Sequence, residues 1–347
     1  MRKSLFPSVP VVVAASFAIV SAAAAQVTVD AALPKYEATD GVSGKIKSVG
    51  SDTMNNLMTL WGEGFRAIYP NVQVEIEGKG SGTAPPALIA GTATFGPMSR
   101  EMKSKELDEF EKRFGYKPAQ LSAAIDMLAV FVHKDNPLGD NPLGDKPTQG
   151  LTLKQLDGIF SKTHKGGHGE IRTWGELGLT GEWANKPISL YGRNSASGTY
   201  GYFKEHALFG GDFKDSVKEQ PGSSAVVQSV ATDRYAIGYS GIGYKTADVK
   251  AVALAAEAGE PFVAPVAKNA YSGEYPLARF LYITVNYKPG TELDPLRREF
   301  LRYVFSRQGQ LVVVKDGYFP MSGLLAGKAL QSVGIASPLA TSASVGQ

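Results

Sequence analysis

Apolar positions along this chain recur with two periods. Met54, Leu57, Met58, Trp61, Phe65 and Ile68 fall at helical spacing up to Pro70, which predicts a helix over 54–68. Residues 72–77 alternate apolar and polar and predict a strand, as does the short run at 45–49 before them. Helices are also predicted over 103–114, 151–160 and 296–305, after the turn at 193–199, and after 221–225. The apolar runs at 125–132, 187–191, 236–240 and 277–285 read as buried strands, and the first and last of these suit crossovers between domains. Strands alternating with helices imply a mainly parallel α/β sheet.

Three strands run into loops of one composition. The first loop puts Ser51, Asp52 and Thr53 at the start of the 54–68 helix. The second, 78–83, carries Ser81 among glycines, and Pro85 and Pro86 then fit the first turn of a helix. The third, 191–200, gathers Arg193, Ser195, Ser197, Gly198 and Thr199. A planar guanidinium, several hydroxyls and main-chain N–H groups left accessible by glycine are the chemistry of an anion site. The same residue types also cap helices, so any one loop alone reads equally as an ordinary strand-to-helix turn. In a parallel sheet, however, such loops gather at the carboxyl edges of their strands. The spacing at 78–83 matches neither the nucleotide phosphate loop nor the dinucleotide fingerprint, and no cofactor is implied.

Composition narrows the class. At 347 residues the chain is long enough for two domains, and 43% hydrophobic with 20% charged residues is the balance of a globular protein. The formal charge is +3, of which Arg2 and Lys3 belong to the first 25 residues, so the body is near neutral and offers no nucleic-acid footprint. Arg2 and Lys3, the apolar stretch 9–20 and the small residues 21–25 form a secretory signal expected to be cut after Ala25. The sequence has no cysteine, which removes disulfides, thiol chemistry and a lipid-attachment site. A protein exported without an anchor fits a periplasm. His164 and His168 are four apart, but Gly166 and Gly167 between them argue against the helix a metal pair would need. Tyr235, Tyr239 and Tyr244 read as packing residues, and the repeated Asn-Pro-Leu-Gly-Asp at 136–145 as a duplicated loop.

Five motifs, in order, resemble those of the periplasmic phosphate-binding proteins of bacterial ABC transporters, the PstS-like type II solute-binding family. They are GSDTM at 50–54, GSGT at 80–83, FGPMSR at 95–100, RNSASGT at 193–199 and AIGY at 236–239. The resemblance spans about 45–321 and implies two α/β lobes, each a mainly parallel sheet flanked by helices, joined by two crossover strands and closing over one dehydrated phosphate. It carries phosphate binding onto Ser51, Thr53, Ser81, Arg193, Ser197, Gly198 and Thr199. Two departures stand out. Many members have a carboxylate where Ser99 stands, accepting a phosphate proton, and Asp where Ser195 stands, orienting the arginine. Asp52 is the acid left inside the matched loops and is expected to take the acceptor role, with Arg100 as a further charge at the site, compensating Asp52 or facing solvent.

The resulting expectation is a signal at 1–25, a leader at 26–43, one lobe from 44–125 with 277–337, a second from 126–276, and a mobile tail at 338–347. Function follows as a monomeric periplasmic receptor that delivers phosphate to an ABC permease, with no catalysis of its own. The competing readings are an exported phosphatase or esterase on the same scaffold, and a receptor for sulfate or another oxyanion. The first lacks a G-x-S-x-G elbow, and none of the four histidines lies in an anion loop.

Overall fold

The computed structural model describes residues 27–139 and 150–336; the signal, the second copy of the duplicated loop and the tail lie outside them. Strands β1 (Gly44–Gly50) and β2 (Val72–Gly78) form a parallel pair around the helix Asn55–Ile68. The chain continues through β3 (Gly96–Met98), β4 (Ala119–His133), β5 (Leu151–Thr152) and β6 (Ser189–Arg193). It then forms β7 (Lys218–Gln220), β8 (Ala236–Gly241), β9 (Val249–Ala251), β10 (Leu254–Ala255) and β11 (Ala278–Val285). The main sheet runs β3-β11-β4-β8-β6-β7, with β9 beside β4. Outside the crossovers the pairing is parallel: β1 with β2, β5 with β10, and β6 with both β7 and β8. Among the described residues, every antiparallel ladder contains β4 or β11, the two long apolar strands.

Two apolar cores flank these crossovers. The first joins Trp61, Phe65 and Phe95 to Leu281, Phe300 and Val313, and reaches β4 at Ala124. The second begins one residue later, at Ile125, and takes in Leu128, Phe160, Trp174, Phe203 and Tyr239. Phe319 and Met321 extend from the C-terminal part of the chain into the second core. The sequence pattern fits this packing: on the helix Asn55–Ile68, Leu57, Met58, Trp61 and Phe65 are buried, and the Trp61 indole N–H donates to the Gly309 carbonyl at 2.8 Å. The segment before β1 is not a free leader. Leu33 and Val42 are buried, and the Tyr36 hydroxyl lies 2.7 Å from that of Tyr69. His164 has a φ of +46° and sits in a turn, so the His164/His168 spacing does not fall on a helix.

The lobes also meet at Asp316, which follows the helix Arg307–Lys315. Its carbonyl lies 2.6 Å from where a side chain on Gly243 would begin, so only glycine fits there. The Asp316 Oδ2 atom is buried with no hydrogen-bond partner among the described residues, and burial pushes the carboxyl up to about 7. Folding thus favours the protonated form, and this group's contribution to stability falls as pH rises from its ordinary value near 3.8 to about 7. Asp316→Asn should be neutral at about pH 4 and stabilising by about 2 kcal/mol at about pH 8, a figure already reduced for partial solvent screening. Urea midpoints measured at both pH values test this, and an equal shift at the two would contradict it.

Candidate functional site

The three loops converge where the lobes face each other. From the first lobe, the 3-10 turn Asp52–Met54 presents Ser51, Asp52 and Thr53, while β3 leads to Ser99 beside Ser81. From the second lobe, β6 ends at Arg193, and the helix Gly198–His206 begins with Ser197 as its N-cap. Ser51, Thr53, Ser81, Ser99, Arg193, Ser197 and Thr199 are all buried. So much hydroxyl and guanidinium chemistry in a dry place is costly unless it is mutually satisfied or satisfied by a ligand.

Contacts across the cleft are direct. Thr53 Oγ1 lies 2.8 Å from Thr199 Oγ1, and the Gly82 N–H donates to the Ala196 carbonyl at 3.0 Å. Gly198 passes so close to the first lobe that a Cβ there would lie 2.3 Å from Ser81 Oγ and 2.6 Å from Ser99 Oγ. Gly80, with a φ of +116°, likewise abuts the Ala196 carbonyl. These lobes are closed on one another.

Asp52 acts across the same cleft. Its Oδ2 accepts from the Ser223 N–H at 2.7 Å and lies 3.0 Å from Arg193 Nη1, so a first-lobe carboxylate caps the second-lobe helix Ser223–Thr232 and pairs with the second-lobe arginine. Arg193 also donates to Ser223 Oγ at 2.7 Å and to the Pro221 carbonyl at 3.3 Å, while its Nε has no partner among the described residues. Burial lowers the Arg193 guanidinium from its ordinary value, and the Asp52 charge opposes that. Ser197 Oγ accepts from the N–H groups of Thr199 and Tyr200, the capping use of that residue, which leaves its own proton to donate elsewhere. Ser51 Oγ is buried without a partner among the described residues.

A model of the PBP superfamily domain matches residues 36–308. The phosphate-binding protein PstS of Pseudomonas aeruginosa is 55% identical over 91% of this chain and 95% of its own length. The chain belongs to the PstS family. A PstS from Bacillus subtilis is 28% identical over 81% of the chain and 82% of its own length. The crystal structure of an ABC-type phosphate transport receptor from Vibrio cholerae superposes with a TM-score of 0.59 at 23% identity, covering 80% of this chain and all of that one, and shares the two-lobed type II fold.

One expectation changes in this PstS-family chain. Arg100 does not turn toward Asp52: both its terminal nitrogens go to Glu106, at 2.8 and 2.7 Å, and Nη1 also donates to the Glu101 carbonyl. Glu106 is six residues away on the following helix, Ser104–Phe114. Ser195, the departure from the arginine-orienting Asp of many members, is exposed, and Arg193 is held by Asp52 and Ser223.

Other residues of the site were not singled out from sequence. Arg279 of β11 and Asp126 of β4 are register partners and form a buried pair, with Nε and Nη2 donating to Asp126 Oδ2 at 2.9 and 2.7 Å. Arg279 Nη2 also donates to Thr199 Oγ1 at 3.0 Å. The tyrosines do more than pack. The Tyr244 hydroxyl donates to the Asp52 carbonyl at 2.9 Å and that of Tyr318 to the Thr53 carbonyl at 2.8 Å, while Tyr239 accepts from the Arg193 N–H at 3.3 Å. A cavity of about 1020 Å³ opens beside the site, with Ser197, Arg279, Arg100 and Tyr202 in its wall.

Proposed function

We propose that this protein is the receptor that binds inorganic phosphate between its lobes and delivers it to the permease of an ABC transporter. The observation that carries this reading is the convergence of Ser51, Thr53, Ser81, Ser197 and Thr199 with the Arg193–Asp52 pair at a closed, dry interlobe site, in a PstS-family chain. The two cores support a division into lobes of 44–125 with 277–337 and of 126–276, hinged where β4 and β11 pass between them. Among the described residues no helix is long and apolar enough to cross a membrane, and an N-terminal signal with no cysteine suits an unanchored periplasmic protein. No group of three His, Asp or Glu side chains among the described residues is placed to hold a metal.

Selectivity for phosphate over sulfate needs an acceptor for the proton that phosphate keeps near neutral pH. Asp52 fills that role in this reading: Oδ2 is committed to Arg193 and Ser223, and Oδ1 remains for the ligand. Calorimetric titration of the mature chain should give one phosphate per molecule, with sulfate a poor competitor. Asp52→Asn should cut the phosphate-to-sulfate affinity ratio by about tenfold, since a misplaced buried donor or acceptor costs about 1 to 3 kcal/mol. No heat with phosphate would sink the receptor reading, whereas an unchanged ratio would remove only the role of Asp52.

A further inference from the structure

We infer that Arg279 is a second anion-binding guanidinium of this site, delivered by the crossover strand and charge-compensated by Asp126. The inference rests on the phosphate-receptor reading and extends it to a residue outside the recognisable loops.

Three observations converge. Arg279 is buried, yet its Nη1 has no hydrogen-bond partner among the described residues. A guanidinium held in place only to pair with Asp126 would not need to leave a donor unmet in a dry site, where each such group is costly. Second, Nη2 bridges Asp126 Oδ2 and Thr199 Oγ1, and Thr199 in turn touches Thr53 from the other lobe. Arg279 thus stands one hydroxyl away from the point where the anion loops meet. Third, Arg279 and Ser197 share the wall of the 1020 Å³ cavity, so Arg279 also faces the space beside the anion loops.

The charge pattern fits. Arg193 with Asp52 and Arg279 with Asp126 are two buried ion pairs, one carried by the loops and one by the crossovers. The loop pair is electrically neutral, so on its own it offers a dianion little beyond its hydrogen bonds. Nη1 of Arg279, which Asp126 leaves unmet, adds a charge-assisted donor whose attraction grows with the charge of the ligand and so favours the doubly charged form of phosphate over the singly charged one. The charged and titratable groups packed around Arg279 are Asp126, Arg193 and the tyrosines 202, 282 and 318, with the Tyr202 ring 5.4 Å beneath the guanidinium. The cavity wall that Arg279 shares also carries Arg100, Glu101, Lys103, Lys204, Glu205 and His206, the last stacked against Tyr202. Burial pushes all three tyrosines above their ordinary value, so none of them titrates with phosphate near neutral pH.

The test is phosphate affinity of the mature chain at about pH 6 and about pH 8.5, where the singly and doubly charged forms dominate. Arg279→Met should lose about thirtyfold at the higher pH and about fivefold at the lower, because the lost charge matters more to the dianion. Arg279→Lys, which keeps the charge and loses the fork, should bind more weakly with the wild-type ratio between the two pH values. A purely structural arginine would weaken both pH points alike. Arg279→Met leaves Asp126 uncompensated, so the pair Arg279→Met with Asp126→Asn serves where the single variant does not fold, and should still lose about tenfold. If this double variant folds and binds within about twofold of wild type at both pH values, the inference is overturned while the receptor reading stands. If the wild-type chain itself fails to bind phosphate, the receptor reading falls instead.

Discussion

Replacing Arg193 with Met is expected to weaken phosphate binding about a thousandfold. The side chain is buried, pairs with Asp52 at 3.0 Å, and donates to Ser223 Oγ at 2.7 Å. Truncating one partner of such a pair costs on the order of 4 kcal/mol, in large part because the other charge is left unpaired. Arg193→Lys should recover only part of the loss, since an ammonium cannot serve Asp52, Ser223 and the ligand from one plane. Isothermal titration with a parallel thermal melt separates the outcomes. Binding within about tenfold of wild type, on a protein that melts normally, would remove Arg193 from the anion site.

The second large effect is steric. Gly198→Ala would place a methyl group 2.3 Å from Ser81 Oγ and 2.6 Å from Ser99 Oγ. Those serines are themselves 3.2 Å apart and belong to the opposite lobe, so relief requires the lobes to part. The expected result is a loss of about fiftyfold in affinity, in line with the 1–3 kcal/mol typical of overpacking, with little change in ligand-free stability. Small-angle scattering should then show a cleft that stays open at phosphate concentrations that close the wild type. A variant that closes normally and binds with wild-type affinity would mean that the lobes pack less tightly in the bound state than they do here.

Much of this arrangement was legible in the sequence because its signals are local. The 54–68 periodicity, the strand at 72–77 and the hydroxyl-rich loops at 50–53 and 193–199 each declare themselves within a few residues, and the structure has them where expected. What was missed depends on distance along the chain. Asp52 reads as a cap for its own helix, yet it caps one 171 residues away, a choice that only the meeting of the lobes determines. Asp126 and Arg279 are 153 residues apart, but each left a trace, being a lone charge in an otherwise apolar strand. A buried strand tolerates such a residue only with a partner, so pairing the two was possible in principle. Arg100 is the opposite case: its partner Glu106 lies only six residues on, so a local ion pair, not a charge across the cleft, takes its guanidinium.

The path of the chain through its two cores also sets an order in time. The second core is built almost entirely from one contiguous stretch, so it can condense as soon as that stretch is free, with Phe319 and Met321 docking afterwards. The first core must wait for residues such as Leu281, Phe300 and Val313 to return to Trp61 and Phe65, a high-contact-order step across the whole intervening lobe. Refolding from denaturant should therefore pass through a half-formed molecule. Because the anion loops come from both halves, the capacity to hold a ligand is the last property the protein acquires.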